Sequence, residues 1–178
     1  KPERYFSAKY KIFMGRMTRG RERLSASLIS DTKLITKTDV SVLVPKSTTS
    51  NLDILFSLAY LNSLVAAKVA DSELKQAGGV TSAAFPKYIK DLVVPYASDE
   101  IKNIVAEVVN LIVDGDMSFV PLLDQVFSML VNKKSESSVL SLLHSEPSLT
   151  EIFSVIEKAK RSKKKKATKK KISKKKVS

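Results

Sequence analysis

Cysteine is absent and histidine occurs once, as His144. Disulfides, thiolate zinc sites and thiol catalysis are thereby excluded. A single histidine cannot build a histidine-rich metal site, and nothing supplies the spaced partners of a catalytic triad. Position 144 follows an apolar stretch, so His144 reads as a residue near a helix end, where its cationic form is tolerated. Glycine is scarce as well, with five in 178 residues. No Walker-type loop, Gly-x-Gly-x-x-Gly, His-Glu-x-x-His or Gly-x-Ser-x-Gly occurs. The reading is a non-enzymatic protein with no catalytic residues, no metal site and no cofactor.

Long apolar runs are missing too. The most hydrophobic window, Ile54–Ala67, is uncharged for fourteen residues and contains Asn62. A bilayer span needs about 20 apolar residues, so this window predicts a buried helix and no integral membrane insertion. A secretory signal needs a continuous apolar run after its basic start. The aromatics of residues 1–23 are spaced apart, and the expectation is a protein that is not secreted. Absence of cysteine suits a reducing compartment. The chain does not begin with Met, as for a processed product or a piece of a longer protein.

What the chain has in quantity is charge, unevenly placed. The formal net charge is +13. Residues 158–178 carry thirteen Lys or Arg and no acid, so the remainder is balanced at eighteen of each sign. That remainder divides again. Residues 1–23 hold eight bases against two acids, and residues 24–157 hold ten Lys against sixteen acids. A basic head and a strongly basic tail therefore flank a mildly acidic middle, a pattern of interaction tails rather than a uniformly basic surface.

The patterning predicts a mostly α protein. It comprises a compact domain of five to six helices, a small β-hairpin element near the N terminus and a disordered basic C-terminal tail. In the head (1–23), Phe6, Tyr10, Phe13, Met14, Met17 and Leu24 fall within one helical arc of roughly 100°. They predict an amphipathic helix, which Gly15 and Gly20 weaken by about 1 kcal/mol each. Residues 24–50 hold β-branched alternation at Val40, Val42 and Val44, with a turn at Ser30–Asp31–Thr32, and read as a β-hairpin or a pair of edge strands followed by a loop, with extended loop as the competing reading.

The helical domain spans residues 51–157. Ser50 or Asn51 caps a helix from Leu52 to about Gln76, with Asp53, Ser57, Lys68 and Asp71 on a thin polar seam. Pro86 opens a short helix, and Ser98 caps a helix presenting Ile101, Ile104, Val105, Val108, Leu111 and Ile112. Asp114–Gly115–Asp116 makes a turn. A helix from Ser118 to about Val131 and a short one over Ser135–Leu143 follow. The last helix starts at Ser148, with Glu151 completing a capping box, and buries Ile152, Val155, Ile156 and Ala159. Asp114, Asp116 and Asp124 are the acids best placed to hold a hard cation, but they lack the register of a calcium loop. Turn formation explains the first two.

The tail, 158–178, has too little apolar mass and too much repulsion to form a core. Its cations are Lys158, Lys160, Arg161, Lys163, Lys164, Lys165, Lys166, Lys169, Lys170, Lys171, Lys174, Lys175 and Lys176. Lysine is a mobile point charge, suited to phosphate backbones without base selection. Five of the six arginines lie in residues 4–23 instead. Among them Arg16, Arg19, Arg21 and Arg23 bring rigid bidentate forks.

These features point to a nucleic-acid-associated structural or scaffold protein, of viral nucleocapsid or core type or a nuclear or nucleolar assembly factor. Its basic ends would take DNA or RNA by the phosphates, and its helical domain would take protein partners or further copies of itself. Nucleus, nucleolus or virion interior is the expected location. Two other readings use the same residues. "KRSKKKK" is also a nuclear address, which would leave a protein-interaction module, and a lysine tail also attracts anionic lipid.

Overall fold

The computed structural model describes residues 8–15, 23–30, 40–76, 92–150 and 152–154. Three short strands come first: β1 (Lys11–Gly15), β2 (Ala26–Ile29) and β3 (Val40–Leu43). They form one antiparallel sheet in the order β2-β1-β3. Ile12 lies between Leu28 and Leu43, and Met14 between Ala26 and Ser41. Side chains alternate across a pleated sheet, so Ile12 and Met14 share the face that enters the main core. Lys11, only 2% exposed, belongs to the other face with Phe13.

The head's periodicity predicts a helix, and the structure differs. Residues 11–15 form the central strand of the sheet. The alternation of Ile12 and Met14 fits a pleat, and Ile12 falls outside the helical arc; neighbours on both sides satisfy the strand's backbone groups. Of the two arrangements expected between 24 and 50, the structure has the pair of edge strands rather than the hairpin. Both strands exist, but they do not pair with each other, because β1 lies between them. Most of the turn expected at Ser30–Asp31–Thr32 lies outside the described residues.

Helices make up the rest: α1 (Asn51–Leu61), α2 (Leu64–Gln76), α3 (Asp99–Val113), α4 (Val120–Val131) and α5 (Glu136–His144). One-turn 3-10 helices at Met117–Phe119 and Pro147–Leu149 lead into α4 and into residues 152–154. Serine hydroxyls cap three of the five helices. Ser50, Ser98 and Ser135 accept from the amides of Asp53, Ile101 and Ser138, satisfying donors that have no partner inside the helix.

The single helix expected from Leu52 to Gln76 is broken at Asn62–Ser63, and its two parts bend by 67°. No proline or glycine is involved. The Ser63 hydroxyl donates to the Tyr60 carbonyl at 2.7 Å and accepts from the Ala66 amide at 3.2 Å. Asn62 donates to the Leu58 carbonyl at 3.0 Å. Short polar side chains thus take over backbone bonds that a continuous helix would make.

At the end of α3, Gly115 adopts φ 108°. Its amide reaches Ile112 and the Asp116 amide reaches Leu111, which is a Schellman closure. The end of α4 repeats this device at Lys133. The capping box expected at Ser148 is replaced by Glu146, whose carboxylate accepts from the Ser148 amide and hydroxyl. With Pro147 in the first turn, the helical segment starts earlier than Ser148. The helix expected after Pro86, residues Val155, Ile156 and Ala159, and the basic tail lie outside the described residues.

The core is centred on Phe127, which is fully buried. Its ring centroid stands 5.2 Å from that of Phe56 and 5.4 Å from that of Tyr60. Val105 and Val108 of α3, Val126 of α4, and Val139 and Leu143 of α5 close around them with no exposure. Each such side chain contributes on the order of 1.5–3 kcal/mol of apolar burial. The apolar α1 is central, as its nearly continuous hydrophobic surface predicts. No single helix among the described residues is long and apolar enough to cross a membrane. The bent α1–α2 pair passes by length and composition, with Phe56, Tyr60, Ala66 and Ala70 buried inside the fold.

Candidate nucleic-acid interface

Of the head's candidate arginines, only Arg23 falls among the described residues. β1 ends at Gly15, and the Gly15 amide donates to the Ser25 carbonyl at 3.1 Å. Residues 16–22 therefore join two neighbouring antiparallel strands. Arg16, Arg19 and Arg21 occur in that connection, outside the described residues, as do the tail cations Lys158 to Lys176.

Arg23, where the described chain resumes, is turned inward. One guanidinium nitrogen donates to Asp124 Oδ1 at 2.7 Å and to the Asn62 carbonyl at 3.3 Å, and the other donates to Asp124 Oδ2. This is the bidentate fork for which arginine is suited. It occupies the donor edge that a phosphate would use. Lys11 is buried, whereas Lys9 is exposed, its ammonium 5.2 Å from the Tyr10 ring centroid. A cation over an aromatic face stays accessible to an anion from the opposite side.

Asp124 does more than bind Arg23. Its Oδ1 also accepts from the Leu64 amide at 2.8 Å, anchoring the first turn of α2 to α4. Asp114 and Asp116 are exposed in the turn after α3, and Asp116 caps the following 3-10 helix through the Ser118 amide. The three acids considered for a cation have separate structural tasks. No group of three or more metal-ligating side chains gathers among the described residues.

Among the described residues of the helical domain, exposed acids outnumber the exposed lysines Lys68, Lys133 and Lys134. Asp99, Glu100, Glu107, Asp114, Asp116 and Glu136 are all exposed. Lys102, placed by the periodicity on the outer face of α3, leans onto Asp53 at 2.7 Å. The Lys102 ammonium, helped by the Ser50 hydroxyl, holds the Asp53 carboxyl below its ordinary range. His144 stands exposed at the end of α5, with its ring edge-on to Phe153 at 4.4 Å.

Beside the fork, a cleft of about 640 Å³ runs between β2, α1, α3 and the start of α4. Leu28, Leu55, Leu58, Val109, Ile112 and Leu123 give it apolar walls. Val113 and Met117, 75% and 63% exposed, stand at its rim. Periodicity alone misses this cleft, because it is built by β2 packing across helices distant in sequence. Asn62 and Asp124, which line it beside Arg23, carry one sequence signal each: a polar pair (Asn62–Ser63, Asp124–Gln125) inside a largely apolar stretch.

Comparison with protein-family models, with curated proteins and with solved structures finds no match to this chain.

Proposed function

We propose that this chain is a non-enzymatic, nucleic-acid-associated structural or scaffold protein. It holds the phosphate backbone of DNA or RNA through its basic ends, without base selection, and makes protein contacts through its helical domain. One observation carries the reading: the cations are segregated. Thirteen lie in the final twenty-one residues, and residues 24–157 are net acidic, with ten bases to sixteen acids. Arg23 is taken up by Asp124, which leaves Arg16, Arg19 and Arg21 as the head's candidate phosphate contacts. A lysine-rich tail and an arginine-rich head together suit capture followed by positioning on phosphates.

The deciding experiment removes residues 158–178 and compares both chains on generic duplex DNA and single-stranded RNA across a salt series. About ten tail–phosphate contacts give the intact chain a slope of log K on log salt near −9 on duplex. The truncated chain should lose most of its affinity and most of that slope. Equal affinity and slope for both chains would overturn the reading.

A second reading has its own supporting observation. The apolar cleft is what a protein-interaction module would present, with the tail serving only as a nuclear address. In that case truncation would change location and leave partner binding intact.

A further inference from the structure

The hydrogen-bond phase of the sheet determines which backbone groups of β2 are open. Because Gly15 donates to Ser25, the pairs 15↔25, 13↔27 and 11↔29 exchange hydrogen bonds between β1 and β2. Ala26 and Leu28 consequently direct their N–H and C=O groups away from β1, along the outer edge of the sheet. At Ala26 that edge is closed by Asn62. The side-chain carbonyl of Asn62 accepts from the Ala26 amide at 3.0 Å, and its side-chain nitrogen donates to the Ala26 carbonyl at 2.9 Å. One side-chain amide thus makes the donor–acceptor pair that the next strand would make. Two residues further on, Leu28 offers the same pair of backbone groups where β2 lines the cleft.

We infer that the cleft is a docking site for an extended peptide strand from a partner protein. The strand would have apolar side chains at alternate positions and Lys or Arg at its flanks, and would add to the edge of β2. Three features specify this occupant. The N–H and C=O of Leu28, open among the described residues, call for a peptide backbone, which a hydrocarbon chain cannot supply. The apolar walls call for apolar side chains on one face of that backbone. Charge complementarity sets the flanks: Arg23 and Asp124, both lining the cleft, neutralise one another, while exposed Asp114 and Asp116 stand in the turn that joins the rim residues Val113 and Met117 in the chain. The same neutrality and apolarity make the cleft a poor seat for nucleic acid or for an unbroken lysine run. The inference rests on the reading above only in giving protein contacts to the helical domain.

The test titrates the isotope-labelled full-length chain with a heptapeptide of alternating valine and threonine, capped at both ends by lysine. Amide shifts should be confined to Ala26–Ile29, Asn62, Val113 and Met117. A peptide N-methylated at the amides facing β2 should bind roughly tenfold more weakly, as expected for lost backbone hydrogen bonds. Met117→Lys, at an exposed rim position where folding is not at stake, should weaken the unmethylated peptide to a similar degree. Binding should be unchanged in the chain lacking 158–178, which separates this result from that of the nucleic-acid experiment. Unmoved resonances, or equal binding of the methylated peptide, would overturn the inference. So would displacement of the peptide by a fatty acid that fills the cleft more tightly. Shifts of these residues with protein concentration alone would also overturn it, by naming a second copy as the occupant.

Discussion

The guanidinium of Arg23 grips both carboxylate oxygens of Asp124, a residue 101 positions away. Through this fork the edge of the sheet is tied to α4, and through the Leu64 amide the same carboxylate holds the start of α2. Three elements therefore meet at one acid whose side chain is 15% exposed. Removing one member leaves a partly buried charge without its counterion, which costs several kcal/mol in buried pairs. Asp124→Ala should lower unfolding stability by about 2–3 kcal/mol in urea denaturation. Arg23→Met should cost less, since the Leu64 amide still partners the carboxylate. A double-mutant cycle should return a coupling of at least about 1 kcal/mol. Additive losses would mean that the fork is incidental.

Lys133 closes α4 at φ 54°, in the left-handed region where a Cβ is disfavoured. Its amide and that of Lys134 reach back to Leu130 and Met129, the bonds of a Schellman closure. Glycine adopts this conformation freely but loses more freedom on folding. The balance favours Lys133→Gly by roughly 0.5–1 kcal/mol, read as a higher denaturation midpoint. A lower midpoint would contradict the geometry.

Ser41 faces Met14 across the sheet, and its hydroxyl is buried without a hydrogen-bond partner among the described residues. An unsatisfied buried hydroxyl costs on the order of 1–3 kcal/mol. Ser41→Ala deletes the hydroxyl and keeps the Cβ, at a small cost in strand propensity. A net gain of about 1 kcal/mol is expected by the same denaturation measurement.

These relationships show what the sequence could convey. The serine caps at Ser50, Ser98 and Ser135 are local events, in which a hydroxyl meets an amide three residues on, so spacing alone reveals them. The Asp114–Gly115–Asp116 turn and the apolar face of α3 are equally local. β1 is ambiguous because it has five residues: Phe13 and Met14 fit the helical arc, whereas Ile12 and Met14 fit a pleat, and so short a segment does not decide between them. What resolves the ambiguity is pairing with residues 25–29 and 40–43, which periodicity does not register. The break at Asn62 was hidden for a similar reason. Asn62 ends α1 because its amide has a second task at Ala26, thirty-six positions earlier. The cleft and the Arg23–Asp124 fork depend wholly on such long-range meetings. The cation-rich ends were legible from composition, since charge segregation needs no fold to be seen.

Stability should fall off at both ends of the pH scale through two identifiable groups. The Lys102 ammonium and the Ser50 hydroxyl hold the Asp53 carboxyl below its ordinary value. The folded state therefore favours the ionised form, and this contribution is present above about pH 4 and lost as pH falls through the depressed value. Asp53 is substantially exposed, so solvent screening keeps the effect small. Asp53→Asn should flatten the acid limb. Burial pushes the Tyr60 phenol upward. The folded state keeps the proton there, so stability is present below about pH 10 and lost as pH rises further. Tyr60→Phe should reduce the alkaline slope. Denaturation midpoints measured against pH for the three chains test both signs.

The arginines between β1 and β2 can be separated from the tail by salt dependence. Replacing Arg16, Arg19 and Arg21 with glutamine removes three cations and leaves all thirteen of the tail. If each contacts one duplex phosphate, three fewer counterions are released on binding. The slope of log K on log salt then becomes shallower by up to about 3. Affinity at low salt should fall more than at high salt, because the lost contribution is the salt-sensitive one. Arg23→Gln is the internal control. Its guanidinium is committed to Asp124, so this substitution should lower stability and leave the slope unchanged. If the triple variant keeps the parent slope, the head takes no part in phosphate binding and the tail acts alone. If Arg23→Gln flattens the slope as much as one of the others does, the fork to Asp124 opens on nucleic acid, and Arg23 belongs to the interface.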